Sequence, residues 1–400
     1  MMGGTISRCA YKGNYMATSD RTIVVLGGAG GVGSEAARQL VTRGQFARLI
    51  IADREIEVAQ QLAQELGGEA VEIDVTDRQA LVKLMRQAHV VLNTTGPFFR
   101  YGFAAVSTAI EAGVPYADVN DEDGPIHDLF ATDDIHRAAQ ESGIPLVVGL
   151  GTSPGLTNIF TRYAAQQMDT VTAVRIALAT GPWTRGPAVM AHHLHINSTP
   201  ATIYRDGHWV KVPAMSEEEV ITFPWPPGRT SVHIVAHAEP LTLPRFFPSL
   251  QEVVMKMGHP EPFNQLYSDL ARYGLTSEEP VRCGSVDVSP AAFMAAYLGS
   301  PQADEAFGFS QLTPYSLRQI RLTGHRDNRS LVLCYQFAMP GGARETALPL
   351  VICGEMLAQG SVRPGLLAPE ALDPTPFLRE LPSLGIRSRL IREEELTTLE

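Results

Sequence analysis

Residues 22–40 read TIVVLGGAGGVGSEAARQL. The opening TIVVL is a β-branched, apolar run of the kind that makes a buried strand, and SEAARQL has helical spacing. Between them Gly28, Gly30 and Gly33 satisfy G-x-G-x-x-G. Gly28 permits a tight turn, Gly30 lets a pyrophosphate approach the backbone, and Gly33 lets the helix pack close to the strand. The whole loop of Gly28, Ala29, Gly30, Gly31, Val32 and Gly33 would then offer the free N–H groups of a helix start to phosphate oxygens. With 35 glycines in 400 residues a chance match is easy, so the setting decides. A strand precedes the loop, a helix follows it, and Asp53 ends a second strand, RLIIAD, 20 residues beyond Gly33. That is the arrangement of a dinucleotide site, with a purely structural glycine turn as the competing reading.

Outward from the loop, TIVVL, RLIIAD, AVEIDV, HVVLNT, PYADVN and PLVVGL are short apolar runs, most of them separated by helical patterns such as EVAQQLAQEL and FAAVSTAIEAG. Continuous apolar strands alternating with helices predict a parallel sheet covered on both faces. Right-handed crossovers make it a doubly wound, Rossmann-type α/β sheet. After Asn158 the texture changes. ATIYRDGHWVKVPA and QIRLTGHRDNRSLVLCYQFAM read as strand pairs turning at Asp206-Gly207 and Asp327-Asn328. TAVRIALATG and RTSVHIVAHAEPLTL read as further antiparallel strands, and Ser289-Pro290 opens a helix, SPAAFMAAYL. Residues 155–340 are therefore expected as an inserted α+β, mixed-sheet substrate domain. ETALPLVICGEMLAQG is expected to return as a helix, so that residues 21–154 and 341–400 build the dinucleotide domain. Residues 1–20 lack the apolar core of a secretory signal and read as a flexible extension.

A hydrophobic fraction of 44% with 19% charged residues describes a soluble globular chain. The net charge of −11 argues against nucleic acid or an anionic membrane as a partner. No apolar stretch approaches the roughly 18 residues that span a bilayer. Cys9, Cys283, Cys334 and Cys353 are scattered, which is neither a disulfide framework nor a zinc pattern. A cytoplasmic protein without a metal is expected.

Ligands of such sheets bind beyond the carboxyl ends of the strands. Asp53 would accept hydrogen bonds from the adenosine ribose, which favours NAD, whereas Arg54 beside it could stack on adenine or pair with the 2′-phosphate of NADP. Asp74 and Val75 follow the third strand, where adenine lies, although Asp74 serves equally as a turn cap. Asn93, Thr94, Thr95, Gly96 and Pro97 end the fourth strand, under the path from pyrophosphate to nicotinamide. Asp118 ends the fifth and could orient an ammonium, act as base, or only cap a turn; Asn120 shares that rim. In GTSPGLTN at 151–158, Ser153 could cap a helix with Pro154 in its first turn. Thr152, Ser153, Pro154 and Gly155 would then face the cleft, with the amides of Gly155 and Leu156 open to a substrate carboxylate. An ordinary capped hinge helix is the alternative. His192, His193 and His195 crowd into AHHLH; His192 and His195 are candidates for proton transfer, against a merely packed cluster. Glu239 and Arg245 could hold an amino group and a carboxylate, or form a structural ion pair. His233 and His237 carry little signal.

These residues also carry a resemblance. GAGGVG at 28–33, Asp53, GTSPGLTN, YRDGHWVKVPA at 204–214, TLPRFFP at 242–248 and the C-terminal GEMLAQGSVRPGLLAPEALDPTPFLRELPSLGI are similar to the saccharopine dehydrogenase-like family, over nearly the whole chain after residue 20. The resemblance implies an NAD(P) domain, a substrate and dimerisation domain in a homodimer, and redox chemistry at the C–N bond of an amino acid, its imine or an opine-type conjugate. AVMAHHLHINSTPATI is compressed relative to lysine-oxidising members, so the substrate side chain stays open. Two other functions remain: a C=C (enoyl) reductase built on the same cofactor domain, and a non-catalytic dinucleotide sensor or assembly subunit.

Overall fold

A computed structural model of the chain describes residues 20–181, 187–261, 263–308 and 311–396. Residues 1–19 of the expected extension lie outside them. The first unit holds strands β1 (Thr22–Leu26), β2 (Arg48–Asp53), β3 (Glu69–Glu72), β4 (Val90–Asn93), β5 (Tyr116–Asp118) and β6 (Pro145–Val147). Helices α1 (Gly31–Arg43), α2 (Ile56–Leu66), α3 (Arg78–Met85), α4 (Phe98–Ala112), α5 (Asp123–Phe130) and α6 (Asp134–Glu141) connect them. All six strands run parallel in the order β3-β2-β1-β4-β5-β6, so the strand order reverses between β1 and β4. β1 shows why the pattern was readable. Ile23 and Val25 enter one apolar layer, Val24 and Leu26 the opposite one, and all four are fully buried. Each such side chain contributes about 1.5–3 kcal/mol of burial.

Helix α7 (Leu156–Ala165) leads out of β6 into β7 (Thr170–Thr180), α8 (Pro187–Ile196), β8 (Ala201–Arg205), β9 (His208–Val212), β10 (Glu219–Thr222), β11 (Arg229–Ile234), α9 (Glu239–Phe246) and β12 (Glu252–Gly258). A small lobe follows, with α10 (Phe263–Arg272), β13 (Val281–Cys283), β14 (Val286–Val288), α11 (Pro290–Leu298) and α12 (Pro301–Phe307). The hairpin of β15 (Ser316–Arg326) and β16 (Arg329–Met339) closes the insertion. The second sheet is mixed because β12 lies parallel to β7 while β15 and β16 run antiparallel. Both expected turns form, with positive φ at Asp206, Gly207, Asp327 and Asn328, and the Ser289 hydroxyl caps α11 at the Ala292 amide.

Helix α13 (Ala343–Ala358) returns along α1, and β17 (Gly365–Leu367) joins β6 as a seventh parallel strand. After α14 (Thr375–Glu380), β18 (Arg387–Leu396) pairs with β16. The expectation that 341–400 belongs wholly to the dinucleotide unit is corrected there: the final strand completes the mixed sheet. RTSVHIVAHAEPLTL is likewise not one strand. It breaks after Ile234 into a loop and α9, whose first turn holds Pro240, a residue that helices accept there because its N–H is not needed.

Candidate active site

The glycine loop lies between β1 and α1. A Cβ on Gly33 would sit 2.2 Å from the Gly27 carbonyl and 2.7 Å from the Thr94 hydroxyl, and one on Gly28 would sit 2.7 Å from the Ile51 side chain. Only glycine lets helix and strand approach this closely. Beyond Gly31, by contrast, a Cβ would meet nothing within 4 Å. The Asp53 carboxylate accepts from the Ala29 amide at 2.9 Å and the Glu55 amide at 3.1 Å, tying the end of β2 to the loop. Thr94 donates to the Leu26 carbonyl at 2.8 Å, and the Asn93 carboxamide binds the Tyr116 hydroxyl and the Thr95 amide. The Thr95 hydroxyl is buried with no partner. A glycine cradle open at Gly31, with an orphaned hydroxyl beside it, fits a dinucleotide; Gly96 and Pro97 continue that rim into α4. Arg54 is 81% exposed at its side chain, pairs with Glu55 at 3.3 Å, and its charge also acts on Asp74. Asp74 accepts from the amide and hydroxyl of Thr76, the turn-capping alternative, and Val75 packs partly buried under the sheet.

Asp118 is fully buried. One oxygen accepts the amides of Asn120 and Gly149, the other the Tyr116 hydroxyl, so it clamps β5 to the loop after β6. Burial raises its pKa to about 6 against the pull of those two amides. The turn-capping alternative is thus what forms, and the proton-transfer candidate at this strand end moves to its neighbours. Asp118→Ala strands three buried donors, so we expect the melting temperature to fall by the equivalent of about 3 kcal/mol or more with dinucleotide affinity retained. Thermal unfolding with and without NADH checks this.

The GTSPG segment corrects a second expectation. The helix starts at Leu156, two residues later than Pro154, and its N-cap is Gly155 at φ 122°, where a Cβ would lie 1.9 Å from the Gly151 carbonyl. The two amides expected to be open are already bonded, Leu156 to the Gly151 carbonyl and Gly155 to the Asn158 side chain, and the next, Thr157, bonds to the Thr152 carbonyl. The Thr152 hydroxyl meets Thr346. Ser153 does not cap the helix; its hydroxyl binds Glu239.

Two elements of the second unit close over this rim. On α8, His192 lies 3.1 Å from Asp121 and 3.8 Å from Glu122, and His195 stacks on Phe99 with ring centroids 5.0 Å apart. Glu122 also accepts the amides of Phe98 and Phe99, anchoring α4 to the same point. Burial disfavours a charged His192, but the Asp121 carboxylate and then Glu122 overcome it and raise the imidazole to about 9. Asp121 itself is raised, since burial outweighs the attraction of His192 and His237. Asn120 holds the Glu122 amide, and its own Nδ2 is buried without a partner. His193 points away into a stack with His259 and Tyr267, where burial first, and then the neighbouring imidazoles, keep it neutral.

Before α9, His237 bonds through Nδ1 to Glu239, whose other oxygen accepts Ser153 and Thr157. Glu239 is fully buried and Arg245 exposed, stacked over Trp209 and Phe130 at 5.1 and 5.4 Å, so the structure does not bring the two together as a pair. Sequence reasoning missed Asp121, Glu122 and His237. VNDEDG after a rim strand, and the H-x-E spacing of His237 and Glu239, were the available signals. Asn158 in SPGLTN reaches Glu370 of the C-terminal segment at 2.9 Å, which joins two stretches that carried the resemblance.

Comparison with known proteins agrees. The model of the saccharopine dehydrogenase NADP binding domain matches residues 23–147, and that of the saccharopine dehydrogenase C-terminal domain matches 194–386. The chain is 24% identical to carboxyaminopropylagmatine dehydrogenase of Synechocystis sp. over 91% of its length and 96% of the relative's. It is 23% identical to carboxynorspermidine synthase of Vibrio cholerae over 90% and 94%. The structure of saccharopine dehydrogenase (L-Glu forming) from Saccharomyces cerevisiae superposes with a TM-score of 0.67 at 16% identity, covering 93% of this chain and all of that one. The chain belongs to the saccharopine dehydrogenase family.

Proposed function

We propose that the protein is an NAD(P)-dependent oxidoreductase that interconverts a secondary amine, whose nitrogen joins an amino-acid unit to an amine-bearing chain, with the corresponding imine and its hydrolysis products, a primary amine and a carbonyl compound. The observation that carries the reading is His192 held between Asp121 and Glu122 where α8 closes on the β5 loop, on the edge of the sheet that also bears the glycine loop. A bound nicotinamide supplies hydride transfer at the carbon next to nitrogen. The rest is the work of this chain. The Asp121–Glu122 pair attracts a cationic amine into the crevice. When the imine is made instead by condensation of a carbonyl compound with the amine, His192, protonated at neutral pH, gives a proton to the departing hydroxyl of the carbinolamine as water leaves. His195 on Phe99 keeps α8 seated beside the nicotinamide path. The relatives named for carboxylated polyamines support such an amine as the second half of the substrate. A homodimer is the assembly the family resemblance implies. Unpaired Cys283, Cys334 and Cys353 fit a reducing cytoplasm.

The test is oxidation of saccharopine, carboxynorspermidine and carboxyaminopropylagmatine with NAD and NADP, followed by nicotinamide absorbance. Turnover of at least one at a rate well above an enoyl thioester supports the reading, and turnover of none overturns it. For the cofactor, Asp53 favours NAD through the ribose hydroxyls while Arg54 suits NADP. Asp53→Ala is expected to shift the NAD:NADP affinity ratio about tenfold towards NADP. An unchanged ratio by calorimetry removes Asp53 from that role.

A further inference from the structure

We propose that His237, held in one tautomer by Glu239, presents Nε2 to the crevice as the base that deprotonates the substrate amine. This deepens the C–N oxidoreductase reading and rests on it. His237 lies in the loop between β11 and α9, only 1% exposed, and its charge, like that of His192, favours the ionised Asp121 carboxylate. Glu239 is fully buried; one oxygen accepts the hydroxyls of Ser153 and Thr157, and the other meets His237 Nδ1. A carboxyl that accepts two hydroxyls and lies beside an imidazole is held below its ordinary pKa and is ionised. It therefore takes the Nδ1 proton of His237 as a hydrogen bond, and the free lone pair of a neutral ring falls on Nε2. Nε2 has no partner among the described residues. Ser153 belongs to the loop after β6, so the pair is fastened to the ligand-binding edge of the parallel sheet although His237 comes from the second unit.

The two histidines divide the labour through their surroundings. His192 faces Asp121 and Glu122, which hold it as the cation, whereas His237 faces Glu239, Asp121, and the neutral His193. A secondary amine arrives as its ammonium ion. One N–H bond breaks, its proton passes to Nε2, and its electron pair stays on nitrogen as a lone pair. That lone pair closes C=N while the C–H electron pair leaves as hydride to the nicotinamide, which is reduced as the amine is oxidised. The product is a protonated imine. The balance is one proton to His237 and one hydride to the dinucleotide.

The experiment has two arms. In the first, ¹⁵N-histidine spectra of the NADH-bound protein are recorded at pH 7, with His237→Gln assigning the signal. A His237 ring protonated on Nδ1 is expected, and Glu239→Gln, which keeps the volume but donates an N–H towards Nδ1, is expected to invert it. A wild-type ring protonated on Nε2 overturns the proposal whether or not a substrate is known. In the second arm, wild type, His237→Gln and Glu239→Gln oxidise the amines of the panel above. We expect kcat to fall about 100-fold in both variants with dinucleotide affinity within about threefold. Added imidazole should restore part of the activity of His237→Gly. Either glutamine variant with kcat within threefold of wild type overturns the proposal. Absence of wild-type turnover on all three amines counts instead against the C–N reading, and the spectra then decide the tautomer alone.

Discussion

Gly33→Val should abolish measurable binding of both NADH and NADPH. The added side chain would start 2.2 Å from the Gly27 carbonyl, 2.7 Å from the Thr94 hydroxyl and 2.8 Å from the Gly28 Cα. Two of these three are backbone atoms that cannot swing aside, so α1 must move off β1. Overpacking of this kind costs about 3 kcal/mol, a loss of at least about 100-fold in affinity if all of it falls on the loop. Gly31→Ala is the control: its Cβ meets nothing within 4 Å, so stability should hold while a dinucleotide lying in that open space is pushed away. Calorimetric titration with both cofactors, beside melting curves, separates the two. Retained affinity in Gly33→Val would mean that the helix start is not where phosphate binds.

The second large effect is at His192. His192→Gln removes a proton donor and leaves Asp121 and Glu122 without their cation, so kcat/KM for the best amine of the panel should fall about 1,000-fold. Stability gives an independent reading. The folded-state pKa of His192 lies above the ordinary value near 6.5, at about 9. The stabilisation is therefore complete below about 6.5 and is lost as pH rises through about 9. The wild type should lose of order 2 kcal/mol between pH 7 and 10, because each pH unit that separates the folded from the unfolded pKa is worth about 1.4 kcal/mol and part of the stabilisation is already gone at pH 7. The variant should lose much less over the same range. Parallel melting profiles for the two proteins would show that His192 is not held charged.

What could be read in the sequence was whatever one element decides for itself. TIVVL, the glycine loop and Asp53 are neighbours in the chain, and their steric demands are local. The turns at Asp206-Gly207 and Asp327-Asn328 were readable for the same reason. The centre of the site was not. His192 and His237 meet Asp121 from two elements of the inserted unit, and only the closure of that unit over the β5 loop brings them together. Asp118 could be read from its rim position as base, ammonium partner or turn cap; the two amides that converge on it, from residues 120 and 149, make it a clamp between β5 and the loop after β6. Ser153-Pro154 looked like a helix start, yet the carbonyl of Gly151 takes the Leu156 amide and delays the helix until after Gly155. Each of these outcomes depends on which group wins a competition for a hydrogen bond, and that competition involves partners remote in sequence.

The path of the last sixty residues has a mechanical consequence. The chain passes between the lobes at α7, again between β16 and α13, and a third time between α14 and β18. Three covalent stitches restrict how far the lobes can swivel or slide past one another. Because His237 and Glu239 stay tied through Ser153 to the loop after β6, an opening that lifts α8 would part His192 from Asp121 and leave the second pair with the parallel sheet.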